Sequence, residues 1–428
     1  MGSPTSAGLL FRIDKNQNYT DMAYTETHKN SYGSRVGSSF RNIGTGFVLI
    51  AAATVLLWWN EGRAVKTAKM LDAAADQAVH VDDMSAVNPE NEGKLIHANA
   101  FVSTEEYLSD PTFGVGAVTA NLHRNVEFYQ WMESSETTKK DKIGGAEEVT
   151  TTYTYNKGWT GSPVDSDSFK DPEYQGLNST LMNTSDETYQ ATVVKFGAYN
   201  LPKSLISSIP CHSPLTDMEV KPELINEWNA AIKAIKSPVT AAKDSTMYVH
   251  VVNNTIYLGR SPQVPEIGDV RITFTQSNDG DASILAVVDG NSFKPFVHKN
   301  GKSLCTLSMG TKTMEEMFEA KQQANKAMLW IFRILGIIIC CAGFYNIFGF
   351  LVTILKVIPF LAKVANLGVK LVTNVLGCVW SLVVILIAWF RFRPLLSIGL
   401  LVVAAALVAF LVMKSKNAPQ PVEEPKAE

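Results

Sequence analysis

The chain has 428 residues, 38 of them Lys or Arg and 41 Asp or Glu, for a formal net charge of −3. That balance, with no basic cluster in the central region, argues against a nucleic-acid partner. Hydrophobic residues make up 46% of the chain, but they gather toward its two ends, the pattern of membrane-spanning segments around a polar domain.

Residues 1–39 read as a polar N-terminal segment. Met22 offers an alternative start, and Met1-Gly2-Ser3-Pro4-Thr5-Ser6 fits the loose myristoylation pattern, which chance also produces. A first transmembrane helix is expected over 40–59: Ile43–Trp59 carries no charge and ends in the interfacial pair Trp58-Trp59. At ~1.5 Å per residue it spans a hydrocarbon core of ~30 Å. The competing reading, a signal peptide, lacks a small-residue cleavage pattern after Trp59. Glu61 and Arg63 read as an interfacial charge pair fixing the depth of this span, with a partner contact at the membrane surface as the functional alternative.

Residues 60–326 are expected to form an extramembrane α+β domain with helical stalks. Val65–Val81 continues the first span as a stalk, and Pro89-Glu90-Asn91-Glu92-Gly93 is a turn running into a strand. Glu90, Glu92 and His97 do not have the spacing of a standard metal site. Strands are predicted at Lys94–Val102, Asn125–Glu133, Val149–Tyr155, Met247–Val252, Thr255–Leu258, Val270–Thr275 and Ile284–Val288, with a tight hairpin at Asn253-Asn254. Pro222–Lys236 has a helical Leu224/Ile225/Trp228/Ile232/Ile235 face. In Asn125–Glu133, Val126, Phe128 and Gln130 point to one side and Glu127, Tyr129 and Trp131 to the other. Large rings on both faces predict a strand covered on both sides, with Trp131 buried. Cys211 adjoins His212, but neighbours on a strand face opposite ways, so adjacency makes no dyad. Cys211 and Cys305 are the only pair that could form an intradomain disulfide, in an oxidising compartment.

Three further transmembrane helices are expected at 334–354, 371–390 and 395–413, the last two separated by Arg391-Phe392-Arg393-Pro394. Arg333, in the first turn of the second span, is expected to snorkel to the headgroups, with an intramembrane functional charge as the alternative. The connector 356–370 places Lys356, Lys363 and Lys370 on one helical stripe among apolar residues, which predicts an interfacial amphipathic helix with its lysines toward anionic lipid. Residues 414–428 have the composition of a disordered tail. Four spans put both termini on one side and the domain on the other; the Lys and Arg distribution tilts the termini to the cytosol.

The expected fold class is therefore an α+β membrane protein in which one N-terminal and three C-terminal transmembrane helices flank a mostly antiparallel β-rich domain, with a barrel-like closure open to it. No Gly-rich phosphate loop, HExxH or nucleophile elbow is present, so no catalytic residue, metal, cofactor or small-molecule substrate is assigned. Two functions compete: a non-enzymatic membrane organiser or scaffold, and a pore-forming or transport component of a membrane complex. A membrane-bound enzyme would require distant residues to converge in the domain.

Eight blocks in order also resemble the transmembrane protein 43 family, called LUMA. They are Asn60-Glu61-Gly62-Arg63-Ala64 with Lys66-Thr67-Ala68; Asn88-Pro89-Glu90-Asn91-Glu92-Gly93-Lys94-Leu95-Ile96-His97; Leu108-Ser109-Asp110-Pro111; Arg124–Glu133, with Arg124, Glu127, Tyr129, Gln130 and Trp131; Tyr153–Trp159; Pro265–Arg271, with Gly268, Asp269 and Arg271; Lys294-Pro295-Phe296; and Phe390–Leu395. The resemblance implies four spans, cytosolic ends and a lumenal domain, with the motif residues serving structure or partner contact. In animals that family belongs to the endoplasmic reticulum and inner nuclear membrane, where it is linked to envelope organisation, self-association and partners such as lamins and emerin. It implies no enzymatic activity, and bacterial relatives would sit in the inner membrane. The partners so implied are membrane lipids, further copies of the chain, and membrane or envelope proteins.

Overall fold

The computed structural model describes residues 23–216, 218–235, 247–395, 397–399, 402 and 406. The alternative start, the myristoylation pattern, most of the fourth expected span and the tail lie outside these residues. Two compact units emerge: a β-rich unit containing Met70–Lys142 and Ala146–Ala320, and a helical unit containing Ser31–Lys69, Ile143–Gly145 and the chain from Lys321. The helices longer than two turns among the described residues are α1 (Tyr32–Ala75), α2 (Pro222–Ala234), α3 (Met314–Leu355) and α4 (Pro359–Phe392).

The β-rich unit is built on β1 (Tyr24–Asn30), β2 (Leu95–Ser103), β3 (Asn121–Asp141), β4 (Glu147–Thr160), β5 (Val249–Val252), β6 (Thr255–Leu258), β7 (Val270–Gln276) and β8 (Gly280–Asp289). One sheet runs β1-β4-β3-β7-β6-β5, and a second centres on β2 and β8. Nearly all pairings are antiparallel; the exception is Val79–Val81, which lies parallel to β2. The antiparallel sheet is nearly closed, in keeping with the barrel-like expectation; among the described residues no ladder joins β1 to β5, and the second sheet shares its core.

Strict alternation fills that core. Val126 and Phe128 of β3, Ile272 and Phe274 of β7, Ile256 and Leu258 of β6, Ile96 and Ala98 of β2, and Ile284 and Ala286 of β8 are all buried in it. Helix α2 adds Trp228 and Ile232, with Trp228 against Phe113 at 5.3 Å between ring centroids. β5 and β6 are joined through Asn253-Asn254, and Asn253 takes φ 54°, the left-handed conformation that a two-residue hairpin turn needs. A second core holds Met70, Leu71 and Ala74 from the end of α1 and Met317 and Phe318 from the start of α3 over Leu95, Leu285 and Val287.

The face opposite the main core differs from expectation. Trp131 is half-buried at the margin of a small cluster of Tyr155, Phe169 and Tyr174, with Tyr174 at 4.8 Å and the Lys157 ammonium 4.7 Å from the ring centre. The full burial cost does not apply. Trp131→Ala should lower unfolding free energy by on the order of 1–2 kcal/mol, not the ~3–5 kcal/mol of a core tryptophan, as read by denaturant unfolding.

Among the described residues three helices, α1, α3 and α4, are long and apolar enough to cross a membrane. α1 and α3 meet through glycine: a Cβ on Gly46 would come 2.6 Å from the Gly343 carbonyl oxygen. Small residues of this kind let apolar helices approach backbone to backbone. α1 begins eight residues before the expected span, and α4 takes in most of the expected connector with the third span as one helix. Pro359 sits in its first turn, where its missing N–H costs nothing, and no later residue interrupts it. Lys363 and Lys370 are exposed on α4, and Lys356 is half-buried in the turn before it.

The turn between β3 and β4 belongs with the helices. Gly144 N–H donates to Val357 O at 3.1 Å, and Arg35 Nη1 donates to Gly145 O at 2.7 Å.

Candidate functional site: a buried polar junction among apolar helices

Helix α1 carries Asn60, Glu61, Gly62 and Arg63 immediately after its apolar run, and all but Arg63 are buried. Glu61 is 0% exposed. Its Oε1 accepts from Arg333 Nε of α3 at 2.6 Å, and its Oε2 accepts from Trp389 Nε1 of α4 at 3.0 Å. One carboxylate therefore ties three helices together. The Arg333 guanidinium lies 5.0 Å from the Trp330 ring centre and 5.7 Å from that of Trp389. Such cation–aromatic contacts strengthen when water is excluded. Arg333 Nη2 is buried without a hydrogen-bond partner among the described residues.

Around this ion pair the backbone is also secured. Asn60 Nδ2 donates to Leu329 O at 2.9 Å, Arg63 donates to Asn60 Oδ1 and to Asn325 Oδ1, both at 3.2 Å, and Asn325 Nδ2 donates to Ala64 O at 3.0 Å. Gly62 leaves room for Phe392, whose ring would come 2.8 Å from a Cβ there.

Two expectations are overturned. Glu61 and Arg63 are not a pair, because residues two apart on a helix point to different faces. Arg333 does not snorkel, because a buried counter-ion fixes it inward. Sequence spacing hides this partner because the two charges belong to separate spans; the signal is one acid and one base, each bordering an apolar run.

The other motif residues form separate groups in the β-rich unit. Asn88 caps the short 3-10 turn Pro89–Asn91; there Glu90 and Glu92 are exposed, Asn91 is buried and Gly93 has φ 71°. Glu92 Oε2 accepts from Gly290 N–H at 2.8 Å. Arg124 is buried against Asp110, with Nη1 2.6 Å from Oδ2. Gln130, also buried, donates to Ser179 O at 3.0 Å and accepts from Val164 N–H at 2.6 Å. On the outer sheet face, Arg271 grips Glu127 through Nε and, at 3.0 Å, Nη2, and stacks 4.3 Å from the Trp159 ring centre. Tyr129 packs at a tilt against the same ring, with centroids 5.3 Å apart. Cys211 and Cys305 are both free thiols, and burial pushes both thiol pKa values up.

Asp269 is the most perturbed carboxyl of this unit. Its Oδ2 accepts from Tyr257 OH and, at 2.8 Å, from Glu266 N–H, while Oδ1 is buried without a partner among the described residues. Burial raises its pKa from 3.8 to about 6. A raised acid pKa contributes stability that is complete below 3.8 and lost as pH rises through about 6. Asp269→Asn should therefore raise stability at pH 7.5 by on the order of 2–3 kcal/mol and flatten the pH dependence of thermal unfolding across that window.

Taken together, these side chains pair charges, cap turns and lock helices. Among the described residues no three His, Cys, Asp or Glu side chains converge as metal ligands would.

Comparison with known proteins accords with this picture. A sequence profile described as Transmembrane protein 43 matches residues 128–394. The chain is 28% identical over 394 residues to Transmembrane protein 43 of Rattus norvegicus, covering 89% of this chain and 92% of that one. It is 27% identical to Transmembrane protein 43 of Homo sapiens with the same coverage, and 25% identical over 372 residues to the Transmembrane protein 43 homolog of Drosophila melanogaster, covering 84% and 91%. No solved structure matches it.

Proposed function

The chain belongs to the transmembrane protein 43 family, and from that membership we propose that this integral membrane protein is a non-enzymatic organiser or scaffold. The observation that carries the reading is the Glu61–Arg333–Trp389 junction, where an ion pair is spent on fixing one helix arrangement. A rigid anchor of this kind suits a protein that presents a folded domain to others. Its partners are further copies of itself, membrane or envelope proteins, and lipid headgroups at Lys356, Lys363 and Lys370. The compartment is the endoplasmic reticulum or inner nuclear membrane in a eukaryotic cell and the inner membrane in a bacterium. The β-rich domain is lumenal or periplasmic there.

Crosslinking in native membranes followed by affinity purification tests this. Recovery of self-crosslinked species with a reproducible membrane-protein partner is expected; recovery of uncrosslinked monomer alone would overturn it. Sidedness has its own reading. The strand ends beside the Ile143–Gly145 turn, Thr137–Asp141 and Glu147-Glu148, are polar and cannot rest in hydrocarbon. A lumenal domain with a cytosolic N-terminus therefore requires the β1–β4 ladder, as well as the contacts of this turn with Arg35 and Val357, to open in the bilayer. Ile143→Cys and Glu92→Cys should then label from one side of sealed vesicles and Lys416→Cys from the other; labelling of Glu92→Cys and Lys416→Cys from the same side would defeat it.

A further inference from the structure

Helix α1 ends at Ala75, and the chain then forms Val79–Val81, which alone among the described strands lies parallel to its neighbour, with His80 opposite His97 of β2. Parallel registry puts both imidazoles on one face. They stack with centroids 5.0 Å apart, and their Nδ1 atoms are 2.8 Å apart. His97 is 1% exposed, and its Nε2 lies 3.1 Å from Lys312 O, two residues before α3 begins. His80 Nε2 lies 3.0 Å from Asp82 Oδ1.

These contacts fix where the protons are. A carbonyl oxygen only accepts, so His97 Nε2 carries a hydrogen and, in the neutral ring, His97 Nδ1 is a lone pair. His80 Nδ1 must then be the donor of the 2.8 Å bond. A proton on His80 Nε2 would point at Asp82 Oδ1 and leave the bond between the rings intact. A proton added to His97 can go only to Nδ1, which would set two N–H groups against each other. The latch breaks when His97 is protonated.

We propose that the His80–His97 pair is a proton-operated latch that releases Val79–Val81, and with it the exit of α1, from the β-rich domain on acidification. The groups facing His97 are consistent with that. From the short strand come His80 and Asp82. From the first turn of α3 comes the exposed Glu315, and from the segment before it Lys312, whose ammonium is turned onto Ser308 Oγ at 2.6 Å. β8 supplies Leu285 opposite and Ser283, neither of them titratable. Burial first, and then the charge of His80, lower the His97 pKa against the weaker pull of the Lys312 carbonyl and Glu315. A lowered histidine pKa gives stability that is present above pH 6.5 and is lost as pH falls through the folded value. The latch thus sits where the end of α1 and the entry to α3 share the second core, Met70 and Leu71 with Met317 and Phe318.

Hydrogen exchange on the full chain in lipid nanodiscs, between pH 7.5 and pH 4.5 and corrected for intrinsic rates, reads this directly. Val79–Val81 and its partner amides in β2 should open more at low pH, steepening toward about tenfold per pH unit, the limit for one proton taken up. Core amides of β7 should keep their protection. His97→Gln, whose amide can donate to Lys312 O and accept from His80, should remain latched across the range. His80→Asn, which lacks the charge, should weaken the pH dependence without abolishing the fold. Unchanged protection of Val79–Val81 in the native chain at pH 4.5, or equal acid opening in His97→Gln, would overturn the proposal.

Discussion

Arg333→Leu should be severely destabilising, by about 3–5 kcal/mol, because it strands the Glu61 carboxylate in a site with no access to water. Thermal unfolding in detergent and the yield of folded protein are the measurements, and both should fall. Glu61→Gln should cost less. The amide keeps a hydrogen-bond acceptor for Trp389 and leaves a cation whose stem packs between two indoles. The discriminating variant is the double replacement Glu61→Met with Arg333→Leu. Breaking one partner of a buried pair is costly, whereas replacing both with apolar groups of similar volume is commonly neutral or stabilising by ~1–4 kcal/mol. Recovery of stability together with loss of partner recovery would show that the pair fixes one helix arrangement. A double variant as damaged as Arg333→Leu would show instead that packing volume, not charge, holds the junction.

Asp110→Ala should produce the largest loss in the β-rich unit, again on the order of 3–5 kcal/mol. Asp110 is 0% exposed and accepts four hydrogen bonds: Thr112 N–H at 2.8 Å, Phe113 N–H at 3.0 Å, Arg124 Nη1 at 2.6 Å and Tyr189 OH at 3.2 Å. Removing it orphans the Arg124 guanidinium inside the fold and frees the turn that seats Phe113 between Trp228 and Phe274. Denaturant unfolding should register the full loss. Asp110→Asn retains the turn bonds but leaves the Arg124 charge unpaired, so it should fall between native and Ala. A loss below about 1 kcal/mol for Asp110→Ala would place the Arg124 side chain in water.

Several strands were legible because their signal is local. β6 matches its predicted bounds, β7 exceeds them by one residue, and the Asn253-Asn254 hairpin follows from turn chemistry alone. β3 was foreseen only as Asn125–Glu133, because from Ser134 onward it is polar and lacks the alternation that marks a half-buried strand. It is held there by ladder hydrogen bonds to β4 rather than by burial. Trp131 was read as core for the converse reason: large rings on both faces imply cover, but how much cover arrives depends on where Tyr174 settles. Lys363 and Lys370 lie on α4 while Lys356 falls in the turn before it, and nothing in the heptad spacing tells that Pro359–Phe392 forms one helix.

What the amino-acid sequence by itself determined was the class of protein: apolar runs long enough to span lipid, a polar β-rich middle, and motifs that identify the family. Those properties follow from periodicity and composition, which act over a few neighbouring residues. The tertiary structure alone decided which charges meet. Glu61 and Arg333 are 272 positions apart, Arg271 and Glu127 are 144 apart, and His80 is joined to His97 by strand registry. Electrostatic and hydrogen-bond energies depend on separation in space, and within a low-dielectric interior they reward only those pairs that packing brings within a few ångströms.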